Sequence, residues 1–327
     1  MGSMMPSMCP KTIKVAEHDP PRAPLPQNNY ALSSKASVQE KLARVVELQH
    51  LARIFDAVEL FDTLPNDVEG QPTNENVVKS LGGDIPRLVA EVQELKDQIA
   101  KCHDEEGYRV CADAEYKLLY RQANHIHKFI FEVTLEASVS DCVALAWEFD
   151  LVQTWNCFTR DTLRLLEPSF CRLWVYCAIW LPWPIPQRDV VLCVRGFDLL
   201  DSKKMMAFLV ESHADAPFGS APITKSSKGR VGIDIEDSGG YLVPLSGSHT
   251  KGRLHFNVNP HIPMVPEWLV NFVLSMMIPW IISMVMKFMK TTFQESTGNY
   301  QRRKHNGDQP LYVDIDQRVG TILEEGI

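Results

Sequence analysis

The spacing of apolar positions changes twice along this chain. From Ser37 they recur at helical intervals, with Val38, Leu42, Val45, Ala52, Phe55 and Val58 on one stripe. Ser37 and Glu40 have the spacing of a capping box, in which a hydroxyl and a carboxylate satisfy each other's backbone amides. This predicts a helix from Ser37 to about Phe61. A polar stretch with Pro65, Gly70, Pro72 and the Gly82-Gly83 pair comes next. Asp84 then caps a second helix with Pro86 in its first turn, where a missing amide costs little. Ile85, Leu88, Val89, Val92, Leu95 and Ile99 form its stripe. Segment 37–106 therefore reads as an N-terminal two-helix hairpin. Each helix has one stripe to bury, so the two are expected to pack on each other and on the next domain. Docking of a partner protein's helix is the alternative.

After Gly107 the pattern becomes that of strands. Extended segments are predicted at 116–121, 128–136, 162–166, 173–180, 189–199, 205–213, 230–236, 240–245 and 253–258. Turns fall at Pro168-Ser169, Asp201-Ser202, Ser238-Gly239 and Ser248-His249. One short helix, from about Ser140 to Phe149, interrupts the series. No helix of useful length separates consecutive strands, so parallel crossovers are excluded and an antiparallel sheet is expected. The last element is different again. From Trp268 to Met286 there is no charge, which no ordinary amphipathic surface helix tolerates. Such a helix is sheathed by protein, touches lipid or walls an apolar cavity. One of its faces carries Val265, Trp268, Leu269, Phe272, Met276 and Ser283, and another Val273, Met277, Ile281, Met284 and Phe288. Pro279 removes a hydrogen bond to Ser275 and is expected to bend it. Strands succeeded by a terminal helix make an α+β layout.

Charge and composition narrow the function classes. The net charge is −8, and segment 37–107 carries 15 acidic and 7 basic residues, which accounts for all of it. Nothing supplies the basic face that nucleic acid demands. The eight cysteines include no C-x-x-C pair, which reads as reduced thiols in a cytoplasmic protein. Residues 1–36, with Asp19-Pro20-Pro21 and Pro24-Leu25-Pro26, read as a disordered tail without a secretory pattern. Residues 293–327 read as a C-terminal tail. No G-x-S-x-G elbow, glycine-rich phosphate loop or H-E-x-x-H motif is present. His125 and His127 alone fall short of a metal site, and no catalytic residue, metal or cofactor is assigned.

Several of these segments occur in a suggestive order. Glu148-Phe149-Asp150 with Trp155-Asn156 precedes Trp183-Pro184-Ile185-Pro186-Gln187-Arg188-Asp189-Val190-Val191. Glu211-Ser212-His213, Arg230-Val231, Gly239-Gly240-Tyr241-Leu242 and Pro266-Glu267-Trp268-Leu269-Val270-Asn271 come after it. Over residues 107–292 the chain resembles the START (StAR-related lipid-transfer) family. The resemblance implies a helix-grip fold, in which a curved antiparallel sheet wraps a long C-terminal helix around an apolar tunnel for one lipid. It departs from the family at Asn259-Pro260-His261-Ile262, where an Asp-Pro-Lys-Gly turn is frequent, so the charges of that turn are lost.

The expected ligand is a sterol, phospholipid or sphingolipid, bound without covalent chemistry. Arg195 and Glu211 interrupt apolar strands and are candidates for a headgroup. Trp147, Trp174, Tyr176, Tyr241 and Phe256 are candidate walls, with Trp268, Phe272, Met276 and Trp280 from the last helix. Transient, peripheral membrane contact is expected through that helix and the Trp180–Ile185 loop. Two alternatives remain. Residues 268–286 span about 28 Å as a helix, close to a bilayer's core, with Lys287, Lys290, Arg302, Arg303 and Lys304 as a basic flank. The other is a helix-grip enzyme acting on a hydrophobic substrate, with His213 and Asp215 as a candidate acid–base pair.

Overall fold

The structure is a computed structural model that describes residues 36–65, 72–181, 183, 185–213, 229–262, 265–291, 293, 298–305 and 310–326. The first 35 residues and Asp215 lie outside that set.

The N-terminal segment forms four helices where two were predicted: α1 (Val38–His50), α2 (Ile54–Asp62), α3 (Asn74–Ser80) and α4 (Ile85–His103). The capping box at Ser37 and Glu40 is present. So is the Asp84 cap, which accepts from the Arg87 amide. The first predicted helix breaks because Ala52 takes a left-handed backbone (φ 58°), a conformation that propensity argues against. Leu42, Val45, Leu88 and Leu95, all fully buried, form a core with Phe197, Leu209 and Tyr241 of the sheet. The helices therefore pack on one another and on the outer face of the sheet.

The strands are β1 (Arg109–Asp113), β2 (Tyr116–Ala123), β3 (Ile126–Leu135), β4 (Thr159–Ser169), β5 (Arg172–Ile179), β6 (Arg188–Leu199), β7 (Met205–His213), β8 (Val231–Gly232), β9 (Asp234–Ser246) and β10 (His249–Asn259). They form one sheet in the order β1-β2-β3-β10-β9-β7-β6-β5-β4, with β8 joined to β6. Every pairing is antiparallel except the two-residue β6–β8 contact. β1 went unpredicted. The turn expected at Ser238-Gly239 is instead the middle of β9. Gly239 and Gly240 let neighbouring backbone approach so closely that a Cβ would strike the carbonyls of Phe208 and Arg253. These glycines signal close packing, and the same residue type elsewhere signals a turn.

The short α6 (Leu200–Lys203) links β6 to β7, and after β10 the chain enters α7 (Glu267–Phe272), a π-helical turn (Val273–Met277) and α8 (Ile278–Lys290), one continuous helix of 24 residues. The π turn directly precedes Pro279, whose ring nitrogen has no N–H to donate back to the Ser275 carbonyl.

Segment 293–327, expected as tail, carries α9 (Asn299–His305) and α10 (Pro310–Glu324). They are fixed to α5 (Val139–Trp147) and to the turn after it. Glu148, fully buried, accepts from Arg303 Nη1 (2.8 Å) and from the Tyr312 hydroxyl (2.7 Å). Arg303 also holds Asp150 at 2.9 and 2.7 Å. Lys304 Nζ donates to Asp141 Oδ1 at 2.7 Å. Arg303 and Lys304 are thus buried partners of acidic groups, which corrects their reading as a membrane flank.

Candidate functional site

Alternation along the strands decides which side chains face the long helix. On β3, His127, Phe129 and Phe131 share one face. Their cross-strand partners on β10 are Val258, Phe256 and Leu254, and on β2 Tyr120 and Leu118 sit opposite Phe129 and Phe131. Ile233, Ile235, Ile179 and Arg188 extend this inner face. The helix closes over it with Leu269, Val273, Met277 and Ile281 on one row and Val270, Leu274, Ile278 and Ile282 on the next. Between sheet and helix a chamber of about 540 Å³ remains.

The chamber wall is apolar with three polar exceptions. Tyr120 hydroxyl lies 2.8 Å from His127 Nδ1, and burial raises the phenol and lowers the imidazole from their ordinary values. His127 Nε2 is buried without a hydrogen-bond partner. Arg188, 4% exposed, donates from Nε to the Pro260 carbonyl (2.9 Å) and from Nη1 to the Pro186 carbonyl (2.5 Å). Among the described residues no carboxylate pairs with it. Burial lowers its pKa, but a guanidinium remains charged at any physiological pH.

Of the eleven residues chosen from sequence, Phe256 lines the chamber. Arg195 and Glu211 do not, because odd positions of β6 and β7 face outward. Arg195 holds Glu94 of α4 at 2.9 and 2.5 Å and stands 3.7 Å from Glu211. Tyr241 hydroxyl meets His103 Nε2 (2.9 Å) under α4. Tyr176 hydroxyl lies between Asp189 Oδ2 (3.1 Å) and Arg230 Nη1 (2.8 Å), also on the outer face. Trp174 rests on the His213 ring, centroids 4.6 Å apart. Trp147 faces inward but is embedded in core with Leu173 and Val175, beside Gly196. Trp268, Phe272, Met276 and Trp280 occupy the outward side of the helix, and Trp268, Met276 and Trp280 are exposed. The chamber is walled by the opposite face, the one with Val273, Met277 and Ile281. Arg188 and His127 were missed as site residues. Arg188 begins a strand beside Asp189, the pattern of a residue that orders a loop. A single polar residue in an alternating strand gives no sign of which face it takes.

The nearest arrangement to a metal centre among the described residues is Cys193, Glu211 and His213, whose ligand atoms lie within 4.8 Å of one another. Arg172 and Arg195 both act on Cys193, and Arg195 already engages Glu211. Burial raises the thiol pKa. Two guanidiniums and a protonated thiol disfavour a divalent cation there.

No protein-family model and no curated protein matches the sequence. Solved structures do resemble the fold. The crystal structure of human STARD10 superposes with a TM-score of 0.51 at 13% identity, covering 68% of this chain and 87% of that one. Human StAR-related lipid transfer protein 5 gives 0.49 at 11% identity, over 61% of this chain and 93% of that one. A StAR-related lipid transfer protein fragment from Xanthomonas axonopodis gives 0.45 at 19% identity, over 57% of this chain and all of that one. With its sheet order, its closing helix and the STARD10 superposition, the chain has the helix-grip fold of the START (StAR-related lipid-transfer) domains.

Proposed function

We propose that this protein binds one lipid in the chamber and carries it between membranes. The observation that carries the reading is the unfilled apolar space of about 540 Å³ between sheet and helix. Cores are otherwise packed to crystal density, so a void of this size lined by Leu, Ile, Val and Phe calls for an apolar occupant. Its burial stabilises the complex by about 25 cal/mol per Å² of surface removed from water. The START-like fold supports the same reading. Sterols, phospholipids and sphingolipids are the classes to test. The setting is cytoplasmic with peripheral attachment. Holding and releasing, without turnover, is the chemistry that this wall of apolar side chains favours.

The outward side of the closing helix supports membrane contact. Trp268 (48% exposed), Met276 (46%) and Trp280 (36%) lie along it, and Trp183 (91%) stands out on the loop after β5. Aromatic residues of this kind settle at the level of lipid headgroups. This helix is also long and apolar enough to cross a bilayer. Its inner rows wall the chamber, however, which favours a surface that lies on a membrane over a span through it.

Native mass spectrometry of protein purified from cells, with subsequent lipid extraction, tests the proposal. One intact lipid per chain is the expected result. An empty chain after gentle purification, or recovery of a chemically altered lipid, overturns it. A chain that stays with membranes through an alkaline wash restores the transmembrane alternative.

A further inference from the structure

We infer that the chamber selects its ligand by hydrocarbon alone: the apolar part of a lipid is enclosed, and any polar head stays at the opening, unread. This rests on the lipid-binding reading above and narrows it.

The inference comes from where each polar group around the chamber turns. His127 Nδ1 and the Tyr120 hydroxyl meet each other at 2.8 Å, and His127 Nε2 is buried away from the open space. What these two residues present to a ligand is ring surface. Arg188 is turned to backbone. It donates to the Pro260 carbonyl (2.9 Å) and the Pro186 carbonyl (2.5 Å), which ties the turn after β10 to the residues just before β6. At 4% exposure its guanidinium acts as a staple between two loops and is closed to a bulky anion.

The other polar residues at this end follow strand alternation outward. Asp234 lies between the lining residues Ile233 and Ile235, and its Oδ2 is 2.6 Å from His261 Nε2 on the exposed side. Asn257, between Phe256 and Val258, donates to the Asp237 carbonyl (3.3 Å). In the turn Asn259-Pro260-His261-Ile262, the two apolar members line the chamber. The Asn259 side chain there accepts from the His261 amide (3.1 Å). Among the described residues, the chamber therefore offers a ligand almost no polar surface.

A charged or zwitterionic head drawn into such a lining gives up its water and gains no partner, which opposes its entry. Hydrocarbon meets no such penalty, because apolar burial is non-directional and grows with the area covered. The chamber is half-open, so a head can remain in water while the hydrocarbon attached to it is enclosed. Lipids are then distinguished by the shape of their hydrocarbon, and lipids that share one hydrocarbon are treated alike.

The test is capture from mixed vesicles by delipidated full-length protein, with the bound lipid counted by mass spectrometry after the vesicles are removed. The vesicles hold two sets of lipids in known proportions. Dioleoyl phosphatidylcholine, phosphatidylethanolamine, phosphatidylglycerol and phosphatidate share one hydrocarbon, and cholesterol and its 3α-hydroxy epimer share another. Within a captured set, the bound proportions are expected to match those of the vesicle to within about threefold. A preference for one set over the other accords with selection by hydrocarbon shape. Enrichment of one head within a set by more than about threefold overturns this inference and leaves the lipid-binding reading standing. In Arg188→Met the total captured is expected to fall as the staple is lost, with the proportions within a set unmoved. Proportions that shift by more than about threefold in that variant show that Arg188 reads a head, and overturn the inference as well. Capture of neither set overturns the lipid-binding reading itself.

Discussion

Replacing Trp268 and Trp280 together by alanine isolates the outward side of the closing helix. With 48% and 36% of each residue exposed, and a tryptophan presenting on the order of 250 Å², roughly 210 Å² faces away from the protein. At about 25 cal/mol per Å², full transfer of that area out of water is worth about 5 kcal/mol. A helix bedded at the headgroup level realises about half of it, since its apolar face enters only the acyl boundary. The remaining ~2.5 kcal/mol corresponds to roughly 50-fold in partition. Co-sedimentation with sucrose-loaded phosphatidylcholine vesicles measures it directly. Neither side chain lines the chamber, so lipid held in solution is expected to remain. A loss of less than threefold, with an unchanged melting transition, refutes membrane contact through this side.

Tyr312→Phe removes the hydroxyl that donates to the buried Glu148 carboxylate, and is expected to cost about 1.5–3 kcal/mol in urea unfolding. A change below 0.5 kcal/mol, on the order of a neutral surface substitution, counts against that anchor. Gly240→Ala, whose Cβ meets the Arg253 carbonyl, is expected to cost more than about 3 kcal/mol or to abolish soluble expression. Burial holds His127 and His255 below their ordinary pKa, so from about pH 6.5 downward the unfolded chain binds more protons than the folded one. Stability is therefore expected to fall as pH drops from 6.5 to 5, by up to about 1.4 kcal/mol per histidine per pH unit, above the range where carboxylates titrate. A flat or rising urea midpoint over that interval contradicts it. Hydrogen exchange is expected to be fastest in the closing helix around Ser275 to Trp280, where the π turn meets Pro279, and uniformly slow exchange there is the contrary result.

Much of this architecture is legible in the order of residues, and the failures have physical causes. The capping residues Ser37 and Asp84 mark helix starts because their side chains act locally. The strands from 116 to 258 declare themselves by alternation. Ala52 conceals a helix break, since its left-handed backbone is imposed by packing against its propensity. Gly239 looks like a turn and is a close crossing. The closing helix is apolar all round, so its sequence separates two faces without saying which one looks inward. Alternation places Arg195 and Arg188 on opposite faces of β6, and only the partners of the strand reveal that Arg188 is the inner one. The buried pairs of Arg303 and Lys304 join segments some 150 residues or more apart, beyond the reach of any local pattern.

The π turn does more than accommodate Pro279. The outward residues 268, 272, 276 and 280 repeat every four positions, as do the inward residues 269, 273, 277 and 281. An α-helix of 3.6 residues per turn over-rotates by about 40° at each such step, so both rows wind away from their targets. The wider turn at 273–277 rotates less per residue and unwinds part of that drift. Excising a single residue from the α-helical part that follows it, where no wide turn can absorb the change, would swing everything downstream by about 100°. The oily lining beyond that point would be carried off the cavity, and the side chains now met by solvent or bilayer would be brought toward it.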